Sequence, residues 1–165
     1  VIYIIENNKY GMGTSVERAS ATTDLYHRGS AHSVPGAKID GMDVLAVKSA
    51  GKKALKHCRA GKGPFILEME TYRYRGHSMS DPAKYRTREE VDAMRKQHDP
   101  IDQLRELLIN QNVKEEALKA MDGEVKAVVT KATEFAQTSP EPDPSELFTD
   151  ILLPGSVGTA ASTEA

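Results

Sequence analysis

The sequence predicts an α/β fold built on a parallel sheet, and three observations support this prediction. Residues 1–5 are apolar without polar alternation, which is typical of a strand buried on both faces of a parallel sheet, and "GPFILEMET" is a second apolar strand. A helical pattern precedes the second of them, so strand, helix and strand form a crossover unit. A long polar loop follows each apolar strand. Because ligands of such sheets bind beyond the carboxyl ends of the strands, we expect the two loops to meet there.

The first half of the chain is predicted to hold the strands. After the strand at residues 1–5, residues 9–37 are polar, contain several glycines and show little periodicity, so we expect an irregular loop. Residues 38–40 are predicted to form a short strand. Asp43 is a candidate N-cap for a helix that ends at Gly61. The apolar face of this helix is formed by Val47, Ala50, Ala54, Leu55 and Cys58.

The second half is predicted to be helical. Thr87 and Glu90 have the spacing of a capping box and begin a helix through about Gln97, and Asp99 followed by Pro100 begins another. A longer amphipathic helix follows, with an apolar seam formed by Leu118, Met121, Val125, Val128, Ala132 and Phe135. We expect the seam to pack within the chain, rather than as a free coiled coil, against the preceding helix at Leu104, Leu107 and Leu108.

These patterns divide the chain into three regions. Residues 1–86 are expected to form the α/β part with both polar loops, and residues 87–153 a helical extension. Residues 154–165 contain too little hydrophobic surface to fold, and we expect a disordered tail.

Composition narrows the class of protein. The chain has 165 residues, of which 39% are hydrophobic and 28% charged, and its formal net charge is -2. These values are ordinary for a soluble globular protein and give no reason to expect nucleic acid or a membrane as partner. The single cysteine, Cys58, excludes an internal disulfide framework and a cysteine-based metal site, and it suits a reducing compartment. We expect its thiol to be packed rather than reactive.

The first polar loop begins with two asparagines and a Gly-x-Gly. An asparagine side-chain oxygen and a main-chain carbonyl two residues on are hard oxygen ligands of the type that Mg²⁺ accepts. Mg²⁺ normally also requires a carboxylate and phosphate oxygens, and neither is local in the sequence. The alternative is a turn that does no more than end the strand.

The second polar loop is rich in basic side chains. Until the two glutamates that open the next helix, Asp81 is the only acid among six basic residues: Arg73, Arg75, His77, Lys84, Arg86 and Arg88. Arginine pairs well with phosphate or carboxylate. His77 adds a group that titrates near neutral pH and can donate to a phosphate or transfer a proton. The alternative is a basic loop that is simply solvated.

The amino-acid sequences of both loops resemble those of a known protein family. "ENNKYGMGTSVERA" and "TYRYRGHSMSDPAKYRTREE", with "IDGMDVLAV" and "GKGPFILEMETYRYRGHS" between them, closely resemble the α subunits of the thiamine-diphosphate-dependent pyruvate dehydrogenase component. The resemblance runs from Val1 to about Leu152 in unbroken order. Related α subunits for branched-chain 2-oxo acids or acetoin share Asn-Asn and a Gly-His-Ser or His-His-Ser loop. "GMGTS" and "GHSMSDPAKYR" resemble the pyruvate branch.

The resemblance implies the C-terminal part of a thiamine-diphosphate-binding fold, with a helical C-terminal extension and with thiamine diphosphate and Mg²⁺ as cofactors. It implies that Asn8 binds Mg²⁺ through its side chain and that Tyr10 binds it through its main-chain carbonyl. Arg73 and His77 would lie on the loop that covers the cofactor, with His77 as the candidate catalytic residue.

The resemblance also implies partners and regulation. Family members work as two α and two β subunits, the β subunit supplies the glutamate that activates the cofactor, and the product passes to a lipoyl acyltransferase. Mitochondrial members are phosphorylated at serines in these loops. Ser15 and Ser78 match two such positions, whereas Lys84 occupies a third.

The family pattern places a Gly-Asp-Gly segment about thirty residues before Asn-Asn, and this chain does not contain it. We therefore expect the chain to be the C-terminal portion of a longer α subunit and to be inactive by itself. A non-catalytic interaction fragment is the alternative from another class. The segment "LFTDIL" favours a bacterial cytoplasm slightly over a mitochondrial matrix as the intracellular location.

Overall fold

The computed structural model describes residues 1–151, and its centre is a three-stranded parallel sheet in which the strand Phe65–Glu70 lies between the strands Ile2–Asn7 and Gly36–Asp40. Along the chain the elements are β1 (Ile2–Asn7), β2 (Tyr10–Gly11), β3 (Thr14–Ser15), α1 (Val16–Ala19), a 3₁₀ helix (Leu25–His32), β4 (Gly36–Asp40), α2 (Val44–Arg59), β5 (Phe65–Glu70), α3 (Arg88–His98), α4 (Pro100–Asn110), α5 (Glu115–Thr138) and a second 3₁₀ helix (Pro144–Phe148). The predicted α/β fold is confirmed.

Strand β4, helix α2 and strand β5 form the predicted crossover unit. Strands β4 and β5 pair in parallel, and the Asp43 side chain caps α2 by accepting from the amides of Leu45 and Ala46 at 2.8 and 3.0 Å. The chain turns out of the helix at Gly61, whose φ of +71° favours glycine. The core between α2 and the sheet is formed by Ala50, Ala54, Leu67 and Met69.

The apolar face of α2 is narrower than predicted. Leu55 is 39% exposed, and Cys58 is only partly buried. The Cys58 thiol donates to the main-chain oxygen of Val1 at 3.2 Å. The thiol therefore lies at the edge of the core.

Strand β1 differs from the prediction of a strand buried on both faces. Tyr3 and Ile4 are 55% and 66% exposed, because β1 lies at an edge of the sheet and pairs with β5 alone. The prediction of full burial is therefore wrong for this strand within the part of the chain that the structure describes.

The loop predicted for residues 9–37 is more regular than expected. It contains the β2–β3 hairpin, the short helix α1 and the first 3₁₀ helix, and β4 already begins at Gly36. Ser15 caps α1 by accepting from the amide of Arg18 at 3.3 Å. These elements are too short to produce a recognisable hydrophobic period, so the sequence pattern did not reveal them.

The caps of the later helices agree with the prediction. The Thr87 hydroxyl accepts from the amide of Glu90 at 3.1 Å, and the Asp99 carboxylate accepts from the amide of Ile101 at 2.9 Å. None of the helices among residues 1–151 is both long enough and apolar enough to cross a membrane.

Helix α5 belongs to a second compact unit, which begins at Glu116, whereas Val1–Glu115 form the first. Leu118 is buried, but the other large side chains of the predicted seam are more than half exposed: Met121, Val125, Val128 and Phe135. The expected packing of the seam against the helix at Leu104, Leu107 and Leu108 stays a prediction. The domain boundary after residue 86 stays a prediction, and the predicted tail at residues 154–165 lies outside the described residues.

Candidate functional site

The two polar loops meet at the carboxyl ends of β1 and β5, as predicted. Asn7 and Glu70 are paired in the sheet, so the chains that leave them run side by side. The amide of Thr71 donates to the main-chain oxygen of Asn7 at 2.9 Å, and the Thr71 hydroxyl donates to Oδ1 of Asn8 at 2.9 Å. The first loop (residues 8–35) and the second loop (residues 71–87) are thus joined where they begin.

A buried carboxylate fixes the start of the first loop. Glu68 is fully buried, and its two carboxylate oxygens accept from Nδ2 of Asn7 at 2.7 Å and from the amide of Tyr26 at 2.9 Å. Asn7 is also buried and turns the chain, because its Oδ1 accepts from the amide of Lys9 at 3.0 Å. Lys9 adopts a left-handed φ of 65°. Glu68 therefore sets the turn that presents Asn8.

The side chain of Asn8 is oriented by contacts on both ends of its amide. Its Oδ1 accepts from Thr71, and its Nδ2 donates to the Glu6 carboxylate at 3.1 Å. An amide oxygen has two lone pairs, so Oδ1 retains capacity for another partner. Asn8 faces an open cleft of about 420 Å³ that is also lined by Glu6, Thr71, Arg73 and Asp99.

The donors of the first loop fit part of a magnesium shell. The Asn8 amide oxygen and the main-chain oxygen of Tyr10 are hard ligands of the right chemistry. Among residues 1–151, however, no group of three or more His, Cys, Asp or Glu side chains is placed to hold a metal ion. This part of the chain can therefore contribute ligands but does not supply a complete acidic site.

The second loop brings Arg73 and His77 together. Nη1 of Arg73 donates to Nδ1 of His77 at 3.2 Å and to the His77 main-chain oxygen at 3.3 Å. Two predicted site residues therefore form one basic group. Ser78 is exposed nearby, with its hydroxyl 3.0 Å from that of Ser80.

Asp81 organises the tip of the second loop. Its carboxylate accepts from the amides of His77 and Ala83 at 2.7 and 2.9 Å and from the hydroxyl of Tyr85 at 2.8 Å. These hydrogen bonds, led by the one from the His77 amide, lower the pKa of Asp81. A Cβ at Gly76 would collide with the main-chain oxygen of Asp81, so this turn requires glycine.

The base of the second loop is tied to α3. The Tyr72 hydroxyl donates to the Glu90 carboxylate at 2.8 Å. Burial and this hydrogen bond raise the pKa of Tyr72 to about 12, so the phenol stays neutral at physiological pH. Glu90 has capping-box spacing from Thr87, but its carboxylate is used here to hold the loop.

The sequence analysis assigned no individual role to four residues that build the site: Glu68, Thr71, Asp81 and Arg86. An acidic residue within the apolar segment "FILEME" is a signal that could have identified Glu68, since a buried carboxylate requires partners. The other three are polar residues of an irregular loop, and nothing in their spacing separates them from solvated neighbours.

Comparison with known proteins shows a consistent relationship. The model of the dehydrogenase E1 component family matches residues 1–145. The chain is 60% identical over 154 residues to the pyruvate dehydrogenase E1 component subunit alpha of Rhizobium meliloti, covering 93% of the chain and 44% of the relative. It is 51% identical over 153 residues to the subunit of the same name from Zymomonas mobilis, covering 93% and 43%.

A mitochondrial relative shows the same partial coverage. The somatic form of the human mitochondrial pyruvate dehydrogenase E1 component subunit alpha is 51% identical over 148 residues, which are 88% of the chain and 37% of the relative. The chain thus spans about two fifths of the length of the curated relatives that it matches. The family-model match, residues 1–145, contains both loops of the site.

Proposed function

Because the chain belongs to the dehydrogenase E1 component family, we propose that it is part of a pyruvate dehydrogenase α subunit and forms one side of its cofactor site. The proposed activity of the whole protein is oxidative decarboxylation of pyruvate with transfer of the acetyl unit to a lipoyl group. The observation that carries the proposal is the meeting of the Asn8 loop and the Arg73–His77 loop at one edge of the parallel sheet. The pyruvate-specific names of the relatives favour pyruvate over branched-chain 2-oxo acids or acetoin.

Each predicted residue receives a role under this proposal. Asn8 and Tyr10 would hold Mg²⁺ through the amide oxygen and the main-chain carbonyl, respectively, and the remaining ligands would come from elsewhere. Arg73 would bind an anionic group, and His77 would bind beside it and donate or accept a proton. When bound, thiamine diphosphate supplies an electron sink for breaking the bond to the carboxylate.

The proposal includes partners and location. A β subunit, in an assembly of two α and two β subunits, would complete the site, and a lipoyl acyltransferase would accept the product. Relatives occur both in bacteria and in mitochondria, and we place the protein in a bacterial cytoplasm or a mitochondrial matrix.

Ser15 and Ser78 remain proposed phosphorylation positions with different consequences. A phosphate on exposed Ser78 would add negative charge next to His77 and compete with an anionic cofactor for Arg73 and His77. Ser15 caps α1, so a phosphate there would alter the hairpin that carries Tyr10.

The proposal is tested with Asn8→Ala in the full-length subunit assembled with its β subunit. Loss of one metal ligand is expected to raise the Mg²⁺ concentration for half-maximal activity by about tenfold or more. Asn8→Asp keeps an oxygen at this position and is expected to shift it less. Asn110→Ala, an exposed amide at the end of α4, is the control and should leave the requirement unchanged.

Turnover is measured with pyruvate, branched-chain 2-oxo acids and acetoin as substrates. A magnesium requirement that is identical in wild type and Asn8→Ala would contradict the ligand assignment. Faster turnover of a branched-chain acid or acetoin than of pyruvate would contradict the substrate assignment.

A further inference from the structure

Arg86 lies between the two loops and contacts the main chain of both. Its Nη2 donates to the main-chain oxygen of Asn8 at 3.0 Å, and its Nη1 donates to the main-chain oxygen of Arg73. Asn8 and Arg73 are the residues that carry the proposed metal and anion contacts. One guanidinium group therefore holds the backbone of both.

Aromatic rings surround this guanidinium. Its carbon lies 4.7 Å from the ring centroid of Tyr72, 5.1 Å from that of Tyr10 and 5.3 Å from that of Tyr85. The rings of Tyr10 and Tyr85 also contact each other across the loops, with centroids 4.9 Å apart. Cation–π attraction and the planar fork of arginine together define its position.

Burial shows that Arg86 is not a solvated member of a basic loop. It is 9% exposed, and its Nε has no hydrogen-bond partner among the described residues. Taking a charged group out of water is costly unless other contacts compensate. Here the compensation comes from two carbonyl oxygens on different loops and from the aromatic rings. A residue that only stabilised the second loop would not contact the main chain of Asn8, 78 positions away.

We propose that Arg86 is a positioning residue that locks the two loops together, so that the Asn8–Tyr10 segment and the Arg73–His77 group are presented in one fixed arrangement. The locking is a property of the chain itself, whereas its importance for metal binding rests on the proposed function. Lysine cannot replace arginine here, because a single ammonium group does not form the planar fork that reaches both carbonyls.

The test uses the full-length subunit assembled with its β subunit, free of metal and cofactor. Hydrogen–deuterium exchange is measured on peptides covering residues 8–15 and 71–85 in wild type, Arg86→Lys and Arg86→Ala. The control is Arg95→Lys, since Arg95 also stacks on a tyrosine, 5.0 Å from the Tyr74 centroid, but is exposed. Peptides from α2 and β5 report on global stability.

We expect both loops to exchange about tenfold faster in Arg86→Lys, with α2 and β5 unchanged, and no change in Arg95→Lys. Faster exchange confined to residues 71–85, or an equal increase in all peptides, would overturn the proposal. If Arg86→Ala does not assemble, Arg86→Lys alone decides.

A magnesium titration of Arg86→Lys then distinguishes the two proposals. We expect the half-saturating Mg²⁺ concentration to rise more than the maximal rate falls. If the loops of Arg86→Lys exchange faster but its magnesium requirement is normal, the proposal that Arg86 locks the loops is supported. The proposed metal role of the first loop would then be contradicted.

Discussion

Glu68 shows how one residue can determine the geometry of a site that it does not enter. It is fully buried in β5 and accepts from Asn7 of β1 and from Tyr26 of the first 3₁₀ helix. Asn7, so held, makes the turn that presents Asn8. The Glu68 carboxylate satisfies the side-chain amide of Asn7, which is buried and would otherwise lack this partner.

Glu68→Gln is expected to destabilise the full-length subunit by about 1–3 kcal/mol, because an amide nitrogen replaces one of two acceptors and faces a donor. Urea denaturation followed by circular dichroism measures the change in the free energy of unfolding. Glu17→Gln, on the exposed surface of α1, is the control. Equal stability of wild type and Glu68→Gln would show that the Asn7 and Tyr26 contacts contribute little.

At the scale of elements, two glycines, one in each compact unit, differ in whether the structure needs them. Gly41 follows β4, and a Cβ there would lie 2.7 Å from the main-chain oxygen of Glu70. Gly123 lies within α5, and a Cβ there would meet nothing within 4 Å. The first position needs glycine for close approach of two strands' ends, whereas the second has glycine in a helix at an entropic cost.

Gly123→Ala is therefore expected to stabilise α5 by up to about 1 kcal/mol, and Gly41→Ala to destabilise the sheet unit by at least about 1 kcal/mol. Thermal unfolding of the two variants of the full-length subunit shows whether each substitution raises or lowers the melting temperature. Each variant serves as the control for the other, because the substitution is the same at both positions. A stabilising Gly41→Ala would mean that the strand ends move apart without cost.

At the scale of the whole molecule, the described residues include large apolar side chains that are exposed on both a strand and a helix. Tyr3 and Ile4 of β1 are exposed at a sheet edge, and the apolar seam of α5 is exposed along much of its length. The chain also matches only about two fifths of its curated relatives. The candidate metal site also lacks partners, since no acidic cluster among residues 1–151 accompanies the oxygens of Asn8 and Tyr10.

The 165-residue chain alone is accordingly expected to bind thiamine diphosphate and Mg²⁺ poorly. Calorimetric titration of the chain with both ligands, compared with the full-length α subunit in its β-paired assembly, measures the difference. Micromolar, magnesium-dependent binding by the isolated chain would show that the first and second loops form a sufficient site.

The sequence by itself determined the features that depend on near neighbours. The β4–α2–β5 crossover and the caps at Asp43, Thr87 and Asp99 follow from local periodicity and from side chains that satisfy amides two or three residues away. The meeting of the two loops also followed, because parallel strands place their carboxyl ends at one edge.

Tertiary structure alone decided which polar residues are buried and which apolar residues are not. Glu68 reaches Asn7 across 61 positions and Arg86 reaches Asn8 across 78, so no local pattern identifies the partner of either residue. Ile4 of β1 and Phe135 of α5 fit buried patterns in the sequence, yet both are exposed. The physical reason is that periodicity shows which face of an element is apolar, whereas burial depends on which other element covers that face.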